Sequence, residues 1–157
     1  MSDLLENGKK LPLVAKILAV GSYTQFLDKY AVVRKVEPKH WDFIISVAGV
    51  FVAVSQLNHE SVADTDKNAL LDEITNAAIE AYPDFVEACE DCRTFVDRTY
   101  DGLKKGKKGE EQFLFSDSLG GWIVWNLFGH APDNVDERNL VRPLGAFIVH
   151  SFVSWWK

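Results

Sequence analysis

The feature that most constrains this 157-residue chain is an apolar run over residues 43–54. The run is twelve residues long, whereas a helix needs about 20 apolar residues to cross a bilayer. Asp42 precedes it, and Ser55 and Gln56 follow it. We therefore expect a helix that is enclosed by other helices, and we expect no membrane span.

A stripe of small and polar residues runs along one side of this predicted helix. Asp42, Ser46, Gly49, Ala53 and Gln56 are spaced by three or four residues, which places them on one face. Because Gly49 and Ala53 carry little side chain, a neighbouring helix can approach closely there. The β-branched content leaves a strand open as an alternative, although no turn signal divides the run.

Five further runs repeat apolar residues at helical spacing and predict helices. They cover residues 12–31, 61–81, 85–103, 110–130 and 135–156. Together with the central run they predict an all-α fold, a compact bundle or orthogonal array of about six helices around a central apolar helix. The length fits a single helical domain over residues 1–157.

Proline and glycine mark the expected ends and breaks of these helices. Pro12 is suited to the opening turn of the first helix, in which the apolar repeat is Leu13, Ile17, Val20, Leu27 and Tyr30. Pro38 is suited to the first position of the second helix. We expect Gly120 and Gly121 to weaken or break the fifth helix, and Pro143 to kink or restart the last.

The charge of the chain argues against a nucleic-acid partner. The net charge is −6, and binding to a polyphosphate depends on a local basic patch. Only four lysines form a cluster, and they lie in one glycine-rich segment, which we interpret as a solvated loop. These residues are Lys104, Lys105, Lys107 and Lys108.

The chain contains two cysteines, Cys89 and Cys92, which are too few and too close in sequence to stabilise a secreted fold by disulfide bonds. The N-terminus lacks the basic and then apolar order of a secretory signal. Both observations favour a cytoplasmic location.

Cys89 and Cys92 are also weak catalytic candidates, since thiols at i and i+3 share a helical face. They could form a redox couple or half of a metal site. A reactive thiolate prefers a cationic neighbour, whereas Glu90 and Asp91 lie between these cysteines. We therefore favour a role in the core, where small buried cysteines are common.

The Cys-x-x-Cys spacing resembles that of the alkylhydroperoxidase-like, carboxymuconolactone decarboxylase family. The resemblance covers only the two cysteines. Val96 stands where the family has a histidine after the second cysteine, and Ala77 stands where it has an upstream glutamate. The activity of that family is therefore not implied for this chain.

His150 is a second weak catalytic candidate, because it interrupts the apolar sequence of the last helix. If the last two helices pair antiparallel, His150 lies roughly level with Ser116 and Asp117. A carboxylate beside a partly buried histidine would fix its tautomer and raise its pKa, as a general base requires. The alternative is a core histidine that is satisfied by one hydrogen bond.

We predict neither a metal site nor a cofactor. Glu37 and His40 form the only Glu-x-x-His match, and a proline between them marks a helix start. His59, Glu60 and Asp64 lie in what we interpret as a polar connection. The chain has no glycine-rich phosphate loop and no nucleophile elbow.

Two tryptophans, Trp155 and Trp156, stand at the end of the chain, where residues are usually polar. They either dock on the core of the chain or form an interface with a partner. We predict a non-enzymatic helical interaction or regulatory module that binds a protein partner or itself. The alternative is a small-molecule-binding or thiol-redox protein with an aromatic-lined pocket.

Overall fold

The computed structural model describes residues 2–60, 62–104 and 111–157, with side-chain surroundings for all of these except residues 2, 59, 100–104 and 111–113. The described part contains six α-helices and no strand, which confirms the all-α prediction. Lys105, Lys107 and Lys108 of the predicted loop lie outside it, as do the side chains of Lys104 and His59. The helices are α1 (Ser2–Lys29), α2 (Pro38–Gln56), α3 (Asp64–Ala81), α4 (Phe85–Lys104), α5 (Glu111–Phe128) and α6 (Val135–Phe152), and short 3₁₀ helices cover Ala31–Lys35 and Leu57–His59.

Helix α2 is the centre of the fold. Every residue from 44 to 53 is buried, and the helix contacts α1, α4, α5 and α6. Pro38 occupies its first turn, as the sequence predicts. Within the described residues, no helix combines the length and the apolar character that crossing a membrane requires.

Trp41 joins α2 to α1. Its side chain is fully buried, and its indole Nε1 donates to the carbonyl of Ala19 at 3.1 Å and to the hydroxyl of Ser22 at 3.1 Å. Its ring also meets that of Tyr23 edge to face, with centroids 5.6 Å apart. These contacts of Trp41 fix which side of α1 faces the core.

Helix α1 begins ten residues earlier than expected, at Ser2, and Pro12 lies inside it. An interior proline removes one helical hydrogen bond, so this extension depends on tertiary contacts. Gly8 packs against Leu70 of α3, and the indole Nε1 of Trp155 donates to the carbonyl of Asn7 at 3.1 Å.

Helices α5 and α6 continue through Gly120 and Pro143, so of the expected alternatives the break at Gly120 and the restart at Pro143 are wrong. The two glycines Gly120 and Gly145 allow these helices to touch through their backbones. At Gly49, the predicted place of close approach, the neighbour is instead the ring of Phe152. Helix α6 ends at Phe152 and does not continue to Trp156.

Candidate functional site

A row of large apolar side chains on α1 is exposed to solvent. Leu13, Ile17 and Val20 have exposed fractions of 59%, 64% and 57%. Their spacing of four and three places them on one side of the helix. We call these three residues the α1 row.

The α1 row lies on the opposite side of the helix from the face that packs on the core. That inner face consists of small or compact residues, among them Leu11, Ala15 and Ala19, each at most 1% exposed. The apolar repeat that predicts α1 in the sequence includes the three residues of the α1 row. At these positions it therefore forms the outer face of the helix and not the face that packs on the core. Isolated exposed apolar residues are ordinary, but an aligned row is typical of an interaction surface.

Charged side chains flank the α1 row at both ends. Lys9 lies one turn before Leu13, and Asp28 lies two turns after Val20, and both are exposed. Thr24 continues the row between Val20 and Asp28. Gly21 has open space where a side chain would be, so the middle of this face is accessible to another helix.

A second candidate site is a cavity of about 310 Å³ between α2, α4 and α5. Phe51 and Phe115 stack across it with centroids 6.3 Å apart. Its size and its mixture of apolar and polar residues suit a small ligand. The lining residues are Phe51, Val54, Ser55, Asn58, Cys89, Glu90, Arg93, Asp97 and Phe115.

Both cysteines are free thiols, and Cys89 is the one that lines the cavity. The pKa of the Cys89 thiol is raised to about 11, mainly by burial, while nearby Arg93 lowers it and Glu90 adds a smaller increase. Burial also raises the pKa of Cys92, which is fully buried. Both residues are therefore protonated at neutral pH, which disfavours thiol-redox chemistry.

The structure does not pair Asp117 with His150. Asp117 accepts two hydrogen bonds from the guanidinium of Arg142, at 3.3 and 2.9 Å, and His150 is exposed. The register of the two helices explains this result. Ser116 lies against Gly145, and His150 follows Gly145 by five residues, which is more than one helical turn.

Trp155 and Trp156 both dock on the chain itself, which is the first of the two alternatives. Trp156 is 8% exposed, and its Nε1 donates to the carbonyl of Ala53 at 2.6 Å. Trp155 is half-buried and bonds to Asn7 of α1. Trp156 therefore packs on the core of the chain.

A cluster that the sequence analysis missed lies at the connection between α5 and α6. It consists of His130, Asp133 and Glu137, with ligand atoms within 4.8 Å of one another. Gly129 adopts a positive φ of 79° and ends α5, which turns His130 toward the start of α6. The side chain of Asn134 accepts from the backbone N–H of Glu137 and begins α6.

The electrostatics of this cluster favour positive charge at His130. Its Nδ1 lies 2.8 Å from the carbonyl oxygen of Ala131, and this hydrogen bond raises the pKa of His130. The carboxylates of Glu137 and Asp133 raise it as well. The residue spacing His-x-x-Asp-x-x-x-Glu across a turn is the sequence signal that could have identified the cluster.

The comparisons with known proteins give no family for this chain. It matches no protein-family model, and comparison with curated proteins and with solved structures found no significant match. The function must therefore be argued from the surfaces and sites described above.

Proposed function

We propose that this protein is a helical interaction module that associates with a second copy of itself through the α1 row. The observation that carries this proposal is the exposure of Leu13, Ile17 and Val20 on the outer face of α1. Removing apolar area from water drives most protein association, and these side chains provide it.

The charge pattern of α1 favours an antiparallel pairing of two copies. In a register that places Ile17 opposite Val20, Leu13 faces Thr24 and Lys9 faces Asp28. Each contact then occurs twice about a two-fold axis, as a closed dimer requires. Two opposite-charge pairs close the ends of a helix contact that is about 30 Å long, and the apolar part between them, from Leu13 to Thr24, is about 17 Å long.

The expected dimer is weak. A stable interface buries about 800 Å² on each partner, and one helical face supplies less than that. We expect sedimentation equilibrium to show a dimer that dissociates on dilution. Ile17→Glu places a charge in the middle of the contact and should raise the dissociation constant at least about tenfold. Val86→Glu is the matched control, because Val86 is 46% exposed on α4 and lies outside the α1 row.

A charge exchange tests the register. Lys9→Asp or Asp28→Lys alone places like charges opposite each other and should raise the dissociation constant roughly two- to tenfold. The double variant restores opposite charges and should recover the affinity of the unsubstituted protein. A protein that is monomeric at every concentration, or a double variant weaker than either single variant, would contradict this dimer.

The cavity beside Cys89 supports a second candidate function, binding of a small amphipathic molecule. Phe51, Val54 and Phe115 offer an apolar surface, and Arg93 and Asp97 offer polar groups. A neutral fluorescent naphthylamine dye is a suitable probe. We expect Val54→Trp to fill the cavity and abolish the dye signal, whereas Val86→Trp leaves it unchanged. An unchanged signal in Val54→Trp would exclude this cavity as the dye site.

A cytoplasmic location is part of the same proposal. The support is chemical, because Cys89 and Cys92 are free thiols and a reducing compartment preserves them.

A further inference from the structure

The carboxylate of Glu137 is buried and incompletely paired. The residue is 3% exposed, and its Oε2 accepts from the side-chain Nδ2 of Asn134 at 2.7 Å. Among the described residues, no hydrogen-bond donor reaches its Oε1. A buried carboxylate oxygen without a hydrogen bond is unfavourable, so this atom marks a place where a bound cation would be stabilising.

His130 lies beside that oxygen but does not satisfy it. Its Nδ1 is 3.5 Å from Oε1 of Glu137, and it is already engaged with the carbonyl of Ala131 at 2.8 Å. Asp133 also lies close to His130, with Oδ1 3.9 Å from the same nitrogen. One nitrogen and two carboxylate oxygens therefore lie within 4.8 Å of one another just after the end of α5.

We propose that His130, Asp133 and Glu137 bind a divalent first-row transition-metal ion such as Zn²⁺. Imidazole nitrogen with carboxylate oxygen is a ligand set that these ions prefer, whereas Ca²⁺ and Mg²⁺ prefer oxygen alone. The ion displaces the proton on Nδ1, which is released to solvent, and the hydrogen bond from this nitrogen to the carbonyl of Ala131 is broken. In exchange, Oε1 of Glu137 gains a cationic ligand partner.

The spacing of the three residues suits such an ion after a small closure. Ligand atoms around Zn²⁺ lie about 3 Å apart, and the present distances from the histidine nitrogen are 3.5 and 3.9 Å. Glu137 is held by Asn134 at the start of α6, while His130 and Asp133 are exposed and can rotate toward it. Three protein ligands leave at least one position for water.

Zinc titration of the full chain tests the site directly. We expect calorimetry with ZnCl₂ to give one ion per chain. The chain has only four histidines, so their ring-proton NMR signals are separable, and the His130 signal should shift on addition of Zn²⁺. His130→Gln and Glu137→Gln should each weaken binding at least about tenfold. His150→Gln and Asp136→Asn should bind as the unsubstituted protein does.

The choice of variants distinguishes binding at this cluster from binding elsewhere on the chain. Glu137 also contributes to the start of α6, so His130→Gln, a change at an exposed side chain, keeps the test valid if Glu137→Gln fails to fold. Cys89→Ser should retain full affinity. Unchanged Zn²⁺ binding in His130→Gln, loss of binding in Cys89→Ser, or equal affinity for Mg²⁺ would overturn the proposal.

Discussion

Gly120 of α5 and Gly145 of α6 face each other at a crossing where neither helix has room for a side chain. A Cβ atom on Gly120 would lie 1.9 Å from the carbonyl oxygen of Val141, and one on Gly145 would lie 2.0 Å from that of Ser116. Because both obstacles are backbone atoms, no side-chain rotation can relieve them. The helices α5 and α6 can approach this closely only while both positions remain glycine.

Gly120→Ala and Gly145→Ala are therefore expected to destabilise the fold. The helices must separate to accommodate the added methyl group, and we expect a loss of about 2–3 kcal/mol in the free energy of unfolding. Urea denaturation followed by circular dichroism measures this loss.

Gly121→Ala is the matched control for both variants and should change stability in the opposite direction. A Cβ at Gly121 would meet only the ring of Phe95 at 3.5 Å, which is an ordinary contact. Alanine in a helix interior gains about 0.5–1 kcal/mol over glycine. Equal changes in the free energy of unfolding for Gly120→Ala and Gly121→Ala would show that helix propensity determines these effects, and not the close approach of α5 and α6.

Tyr82 and Asp42 form a second relationship with a measurable consequence. The hydroxyl of Tyr82, which is 7% exposed, donates to Oδ1 of Asp42 at 2.7 Å. Lys16 contacts the other oxygen of this carboxylate at 2.7 Å. Tyr82→Phe removes a hydrogen bond to a charged group and should lower stability by about 1.5–3 kcal/mol.

Tyr23→Phe is the comparison for this variant. The Tyr23 hydroxyl donates to the neutral carbonyl of Val36 at 2.8 Å, so its loss should cost only about 1 kcal/mol. Chemical denaturation of both variants gives the difference. A larger loss of stability in Tyr23→Phe than in Tyr82→Phe would contradict the stronger contribution that we expect from the hydrogen bond to the Asp42 carboxylate.

Cys89 should react slowly in the folded protein. Its pKa is about 11, against 9.0 for an unperturbed thiol, so less thiolate is present at pH 8. Allowing for the higher nucleophilicity of a less acidic thiol, we expect alkylation by iodoacetamide to be about ten- to a hundredfold slower than in denaturant. Equal rates in the two states would contradict the raised pKa.

The same shift gives the fold a pH dependence at the alkaline end. The folded state holds the Cys89 proton more tightly than the unfolded state does, so this stabilisation is complete below pH 9. It is lost as pH rises from 9 toward 11, and Cys89→Ser should reduce this alkaline loss. Urea midpoints across that pH range, with and without the substitution, measure the contribution.

Trp156→Phe should destabilise the monomer and leave its association unchanged. The substitution removes the hydrogen bond to Ala53 and shrinks a side chain that is 8% exposed, at an expected cost of about 1–3 kcal/mol. Trp125→Phe is the control, because Trp125 is 44% exposed and should lose less than about 0.5 kcal/mol. If Trp156→Phe instead weakened the dimer without changing stability, the tryptophan would belong to an interface.

The candidate sites were less predictable from sequence than the helices. The cysteine pair and its acidic neighbours already argued against redox chemistry, and the structure adds the burial that raises both pKa values. The His130 cluster was missed, because residues 130 and 137 meet only through the positive φ of Gly129 and the cap at Asn134. Backbone geometry at a turn is not evident from residue type alone.

The sequence by itself determined the all-α architecture and the central position of α2. An apolar run of this length, with Pro38 before it and no turn signal within it, favours a helix that is covered on all sides over a strand. The tertiary structure alone decided which side of α1 is covered. Both sides of α1 carry apolar residues. The side with Ala15 and Ala19 is buried because these small residues let α2 approach closely, which brings the indole of Trp41 to the carbonyl of Ala19. That choice leaves Leu13, Ile17 and Val20 exposed to solvent. Helical periodicity in a sequence identifies an apolar face, but only packing against a neighbouring helix decides which face is buried.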